Sequence, residues 1–181
     1  MAKYVFKPYS SRFPFLFVQE KNRILTYLDK DALVDHIGST AVPGLGGKGI
    51  IDISIAVEKD KIAKVSKELI KAGYEYHPHD GDADRLFFQK DINDEVLGEQ
   101  RYHLHLTSKA SNCWKEKISF RNYLIRHPDE MQKYAMIKQK AVEEANEDRD
   151  KYMAIKEPVI KEMTVKAIKE FDAVYPAWVA M

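Results

Sequence analysis

The chain has 181 residues, enough to bury a core without disulfide or metal staples and near the usual size of one domain. Its 29 basic and 28 acidic residues leave a formal charge of +1, which excludes a global field that would draw it to nucleic acid or to an anionic membrane. One cysteine, Cys113, excludes an internal disulfide and a four-cysteine zinc site. The start MAKYVFKPYSSRF lacks an apolar h-region and no apolar run reaches membrane-spanning length, so a soluble, cytoplasmic protein is expected.

In chain order, Ser10 and Ser11 precede Phe13, Phe17, Ile24 and Leu28 at steps of four and seven, which predicts an amphipathic helix from about Ser11 to Asp29. ALVDHI reads as a short strand. GIIDISIAV alternates, with Ile51, Ile53, Ile55 and Val57 on one face and Asp52, Ser54 and Ala56 on the other. Asp60 is the expected cap of a second helix marked by Ile62, Val65 and Leu69 and closed by Gly73. Then come YEY, the loop HPHDGDAD, the strand RLFFQK, a turn at DIND, and RYHLHLT, whose Arg101, His103 and His105 share one face. A helix then ends before Pro128, Pro128 opens the next, and a last helix runs from about Asp148 to Val174 with a kink expected at Pro158. Trp178 and Val179 are expected to pack back on the body. This order predicts an α/β (α+β) mixed sheet with flanking helices, one domain over 1–181, a core over about 11–107 and C-terminal helices over about 111–175.

HIGSTAVPGLGGKGIIDISIAV holds three tempting motifs. Gly44, Gly46 and Gly49 satisfy G-x-G-x-x-G, but that fingerprint must open a helix and here a strand follows. A Walker loop fails because Val42 stands where its first Gly belongs and Gly49 where its Ser or Thr would hold magnesium. The third motif pairs GST with Asp52. A Gly-Ser turn offers amides and a hydroxyl to phosphate oxygens, and a nearby carboxylate could hold a bridging cation; the same residues also fit a capped turn and a solvated strand residue.

HIGSTAVPGL (36–45), IIDI (50–53), RLFF (85–88), HLHL (103–106), Trp114, FRNYLIRHP (120–128) and Tyr152 with Lys156 together resemble the GrpB family of the nucleotidyltransferase-fold superfamily, over nearly the whole chain. The resemblance implies a nucleotidyltransferase-like core in which Gly38 and Ser39 match the Gly-Ser turn and Asp52 the first carboxylate of the strand motif. Active members of the superfamily use a second carboxylate two residues on, where this chain has Ser54, and a third on a neighbouring strand, where it has His103 and His105. Either the magnesium machinery is lost, or Asp52, His103, His105 and His36 suit another divalent metal such as manganese or zinc.

The candidate catalytic and metal residues are therefore Asp52, His103 and His105, and the candidate phosphate ligands Gly38, Ser39, Thr40 and Lys48. The expected partner is a nucleotide or phosphorylated small molecule, with metal-dependent nucleotidyl transfer as the active form. The alternatives are a ligand-binding or accessory domain without turnover, and a different metal enzyme built on the histidine pair. Nucleic acid is disfavoured as a partner. Arg121 is expected to pair internally, and Tyr152 and Lys156, one helical turn apart, to face the cleft or pack at its rim. His77, His79, Asp80, Asp82 and Asp84 look like a metal cluster but equally fit an exposed turn. Cys113 reads as an unreactive thiol.

Overall fold

A computed structural model describes residues 6–146 and 148–174; the packing expected of Trp178 and Val179 lies outside the described residues. Five strands, β1 (Leu33–Ile37), β2 (Ile51–Val57), β3 (Glu75–Tyr76), β4 (Arg85–Asp94) and β5 (Gly98–Ser108), form one mixed sheet in the order β1-β2-β5-β4-β3. β2 and β5 run parallel, and the other pairs are antiparallel. The helices are α1 (Arg12–Leu25), α2 (Ile62–Lys71), α3 (Asn112–Arg126), α4 (Pro128–Ala145) and α5 (Arg149–Val174). This is the mixed sheet with flanking helices and a C-terminal helical segment that the sequence predicts.

The alternation of β2 decides which helices cover which face. Ile51, Ile53 and Ile55, all fully buried, pack with Leu104 and Leu106 of β5 against Phe13, Leu16 and Ile24 of α1 and Val65 and Leu69 of α2. On the other face Ile37 and Ala56 meet Trp114 and Ile118 of α3 and Phe171 of α5. A third cluster joins Val42 and Leu45, just after the Gly-Ser turn, to Tyr123, Leu124, Tyr134 and Met163 of the C-terminal helices. Those helices thus close over the segment that follows the turn. Among the described residues no helix is long and apolar enough to cross a membrane.

Three local expectations change. α1 ends at Leu25, because the Thr26 hydroxyl and amide both donate to the Arg23 carbonyl, at 2.7 and 3.2 Å, and close the last turn. Of the two serines before it, Ser10 accepts from the Arg12 amide and Ser11 makes no side-chain cap. Asp60 sits inside a short 3₁₀ turn before α2 and makes no side-chain cap. DIND belongs to β4: Asp94 accepts from the amides of Val96 and Leu97, so the hairpin turns over 95–97, beyond the four residues expected to form it, and closes at Gly98 with φ 71°. α5 is helical through Pro158.

Candidate functional site

Parallel pairing of β2 with β5 sets Asp52 opposite His103 and Ser54 opposite His105. Directly paired residues share a face, so the period-two alternation of both strands brings the carboxylate and both imidazoles together. His103 Nδ1 lies 3.5 Å and His105 Nε2 3.6 Å from Asp52 Oδ1, and the Phe87 ring packs against both imidazoles at centroid distances of 4.8 and 5.4 Å. Burial pushes the Asp52 carboxyl upward, but the two histidines outweigh it and hold the group below the usual carboxylate range.

The Gly-Ser turn is built against this carboxylate. Gly38 has φ 71°, and a Cβ there would sit 2.3 Å from Asp52 Oδ2. Ser39 in turn faces Gly47, where a Cβ would come within 2.6 Å of its Oγ. These glycines let two loops and a strand end approach more closely than any side chain allows.

His36 and Thr40 do different work from that expected. His36 is buried on the opposite side of β1, stacked on Phe17 at 4.6 Å, and its Nε2 lies 3.0 Å from Thr40 Oγ1. The Thr40 hydroxyl donates to the Ile50 carbonyl at 2.8 Å, so it accepts from His36, which therefore carries its proton on Nε2. Burial lowers the His36 pKa to about 4 and keeps the ring neutral. The pair pins the turn to the start of β2; neither side chain lines the cleft, so His36 does not join a metal set and Thr40 offers its hydroxyl to the backbone.

The cleft itself has a volume of about 250 Å³. Gly38, Ser39, Asp52 and His103 form one wall, with Gly47 and Lys48 at its side, and Tyr134, Lys138, Tyr152 and Lys156 reach across from α4 and α5. Lys48 and Lys156 place their ammoniums 5.0 and 4.4 Å from the centre of the Tyr152 ring, and Lys138 places its own 5.0 Å from that of Tyr134. Lys138 is only 4% exposed and donates to the Gly46 carbonyl. Burial, then repulsion from Lys156, pulls its pKa down to about 7, while Asp52 acts the other way. Burial lowers the Lys156 pKa as well, again against the pull of Asp52. A separate cavity of about 390 Å³ beside Lys59, Asp84 and Asn112 contains none of the residues singled out as catalytic or phosphate-binding.

His105 is held differently from His103. Arg85 Nη1 lies 2.8 Å from His105 Nδ1, and because a guanidinium only donates, Nδ1 accepts and the neutral ring keeps its proton on Nε2, toward Asp52. Burial lowers the His105 pKa to about 4. Its lone pair is thus committed to Arg85. Ser54 is fully buried. Asp52, His103 and His105 therefore make no divalent-ion site as they stand: there is one carboxylate, one of two imidazoles has no free lone pair, and ammoniums line the opposite wall. Among the described residues no group of three or more His, Cys, Asp or Glu side chains could hold a metal ion, which includes the loop of His77, His79, Asp80, Asp82 and Asp84. Asp82 there accepts from the Asp84 amide and from Arg85.

Of the other flagged residues, Arg121 donates to the His36 carbonyl at 2.8 Å and lies 3.7 Å from Asp35, an internal role. Arg101 pairs with Asp91 away from the cleft. Burial raises the Cys113 thiol, as suits an unreactive cysteine. The sequence reading did not single out Lys138 or Arg85. The available signal for Lys138 was its place in the buried stripe Tyr134, Lys138, Ala141, Ala145 of α4, where a lysine breaks an otherwise apolar spacing.

The family model for GrpB protein matches residues 3–166. The chain is 29% identical over 155 residues to the protein YqkA of Bacillus subtilis, a match covering 84% of this chain and 44% of that one. The crystal structure of the conserved protein GrpB from Enterococcus faecalis superposes with a TM-score of 0.77 at 29% identity, covering 92% of this chain and 99% of that one. Cid1 in complex with its short product ApU matches at 14% identity and a TM-score of 0.45, covering 73% of this chain and 43% of that one. A motif order running from HIGSTAVPGL to Tyr152, together with a family match over most of its length, makes this chain a member of the GrpB family.

Proposed function

We propose that this protein binds a nucleotide or another phosphorylated small molecule in the cleft between the Gly38-Ser39 turn and the α4–α5 wall. One observation carries the reading: Lys138, almost fully buried, and Lys156, half-buried, converge with Lys48 on a cleft holding a single carboxylate. Burying ammoniums is costly unless a counter-charge meets them, and an entering phosphate supplies it. Ser39 and the turn amides offer donors to the remaining oxygens. Asp52, kept ionised by its histidines, accepts from a hydroxyl of the ligand and so favours a sugar or nucleoside phosphate over inorganic phosphate. With Ser54 in place of a second carboxylate, binding without transfer fits these residues better than metal-dependent transfer.

The test is a thermal-shift panel in chelator, with nucleotides, sugar phosphates and inorganic phosphate, on the wild-type chain and on Lys156→Gln and Asp52→Asn. A ligand at one hundred times its dissociation constant stabilises the fold by about 2.7 kcal/mol. Stabilisation by a phosphorylated compound, reduced in both variants, supports the reading; no shift with any phosphate at millimolar concentration overturns it.

A further inference from the structure

We infer that the cleft takes its phosphate group as a free anion, with the lysines of α4 and α5 supplying the positive charge in place of a dication, so that magnesium competes with the protein for the ligand. This rests on the phosphate-binding reading above and adds the ionic form in which the ligand is bound.

Two features of the strand side remove the usual cation. The position two residues after Asp52 is Ser54, whose hydroxyl is buried with no hydrogen-bond partner among the described residues, so it offers neither charge nor access. The position across from it, His105, points its Nε2 proton at Asp52 and its lone pair at Arg85. What remains is one carboxylate oxygen and His103, too few donors to replace the water that a magnesium ion gives up reluctantly.

The opposite wall then supplies the positive charge. Lys138 projects from α4 and Lys156 from α5, and a Cβ on Gly47 would meet the Lys138 ammonium at 3.3 Å, which sets that charge beside the Gly46-Gly47 backbone and the Ser39 hydroxyl. Lys138 is anchored on the Gly46 carbonyl and Lys156 lies over the Tyr152 ring, so neither has to be recruited from solvent when an anion arrives. A phosphate that enters already complexed with magnesium has much of its charge cancelled and brings a dication against fixed ammoniums. In this geometry the metal weakens binding rather than bridging it.

The experiment is calorimetric titration of the wild-type chain with inorganic pyrophosphate, once in chelator and once in magnesium sufficient to complex all of it, with Lys156→Gln measured in both. The expected result is a dissociation constant at least about tenfold larger in magnesium, and a variant that binds less tightly in chelator with a smaller magnesium effect. Pyrophosphate that binds equally well or more tightly in magnesium overturns the free-anion inference and leaves the phosphate-binding reading standing. If neither pyrophosphate nor any phosphate of the panel above binds in either condition, both fall together. Lys156 lies on the half-exposed side of α5, and the wild-type comparison decides the matter even if the variant folds poorly.

Discussion

Gly38 is the residue on which the cleft geometry turns. Its positive φ and the 2.3 Å approach that a Cβ would make to Asp52 leave no room for alanine. Gly38→Ala is expected to cost ~2–4 kcal/mol, from backbone strain plus overpacking, measured by urea unfolding. Lys138 gives a second prediction. In the unfolded chain it keeps its proton up to its ordinary 10.5, and in the fold it loses it near 7. Between those values the unfolded state binds more protons, so stability rises with pH across that window and is flat below it. In Lys138→Met that rise should be much reduced, as read from unfolding free energies between about pH 7 and pH 10. A phosphate beside the ammonium favours its charged form, so ligand binding above pH 7 should draw in a proton. Titration calorimetry in buffers of different ionisation enthalpy reads that uptake directly, and identical heats in all buffers would remove Lys138 from the site.

At the scale of elements, the β4–β5 hairpin shows how one carboxylate can set a turn. Asp94 accepts from the amides of Val96 and Leu97 and pairs in two-pronged fashion with Arg12 at the start of α1, which holds its own carboxyl below the ordinary range. Asp94→Ala should therefore speed hydrogen exchange at the Val96 and Leu97 amides and lower the melting temperature, while leaving the β2–β5 amides near Asp52 protected. The elements were largely legible because their periodicities are strong: β2 alternates cleanly, and the Asp-facing row was readable from IDISIAV alone. The hairpin turn falls after DIND rather than within it: those four residues are rich in turn formers, and only cross-strand pairing out to Asp94 with Gly98 shows that they extend the ladder. α1 was drawn too long because Leu28 continues the apolar spacing and packs on the core from beyond the last helical turn.

For the whole molecule, two buried neutral histidines couple both sides of the sheet to acid. His36 and His105 each have an ordinary value of 6.5 lowered to about 4 in the fold. The unfolded chain protonates both first, so stability falls as pH drops from about 6.5 towards 4, with a slope of up to about 2.7 kcal/mol per pH unit for two protons. Below that window Asp52 adds a further loss, since its folded carboxyl stays ionised where the unfolded one does not. Unfolding measured from pH 7 down should show this loss, and His36→Gln, which retains a donor toward Thr40, should make it shallower. The sequence by itself determined the sheet-and-helix order, the strand face of Asp52 and Ser54, the strand face of His103 and His105, and the glycine turn, because these depend on local periodicity and backbone permissiveness; the pairing of β2 with β5 is what joins the two faces into one row. Tertiary structure alone decided that Lys138 and Lys156 close the cleft, that His105 is committed to Arg85, and that His36 and Thr40 serve the turn. Those outcomes depend on where α4 and α5 fold back over the sheet and on which lone pair each imidazole has left: Lys138 meets a carbonyl 92 residues away, Arg85 reaches His105 across the β4–β5 ladder, and no spacing along one strand or helix encodes either contact.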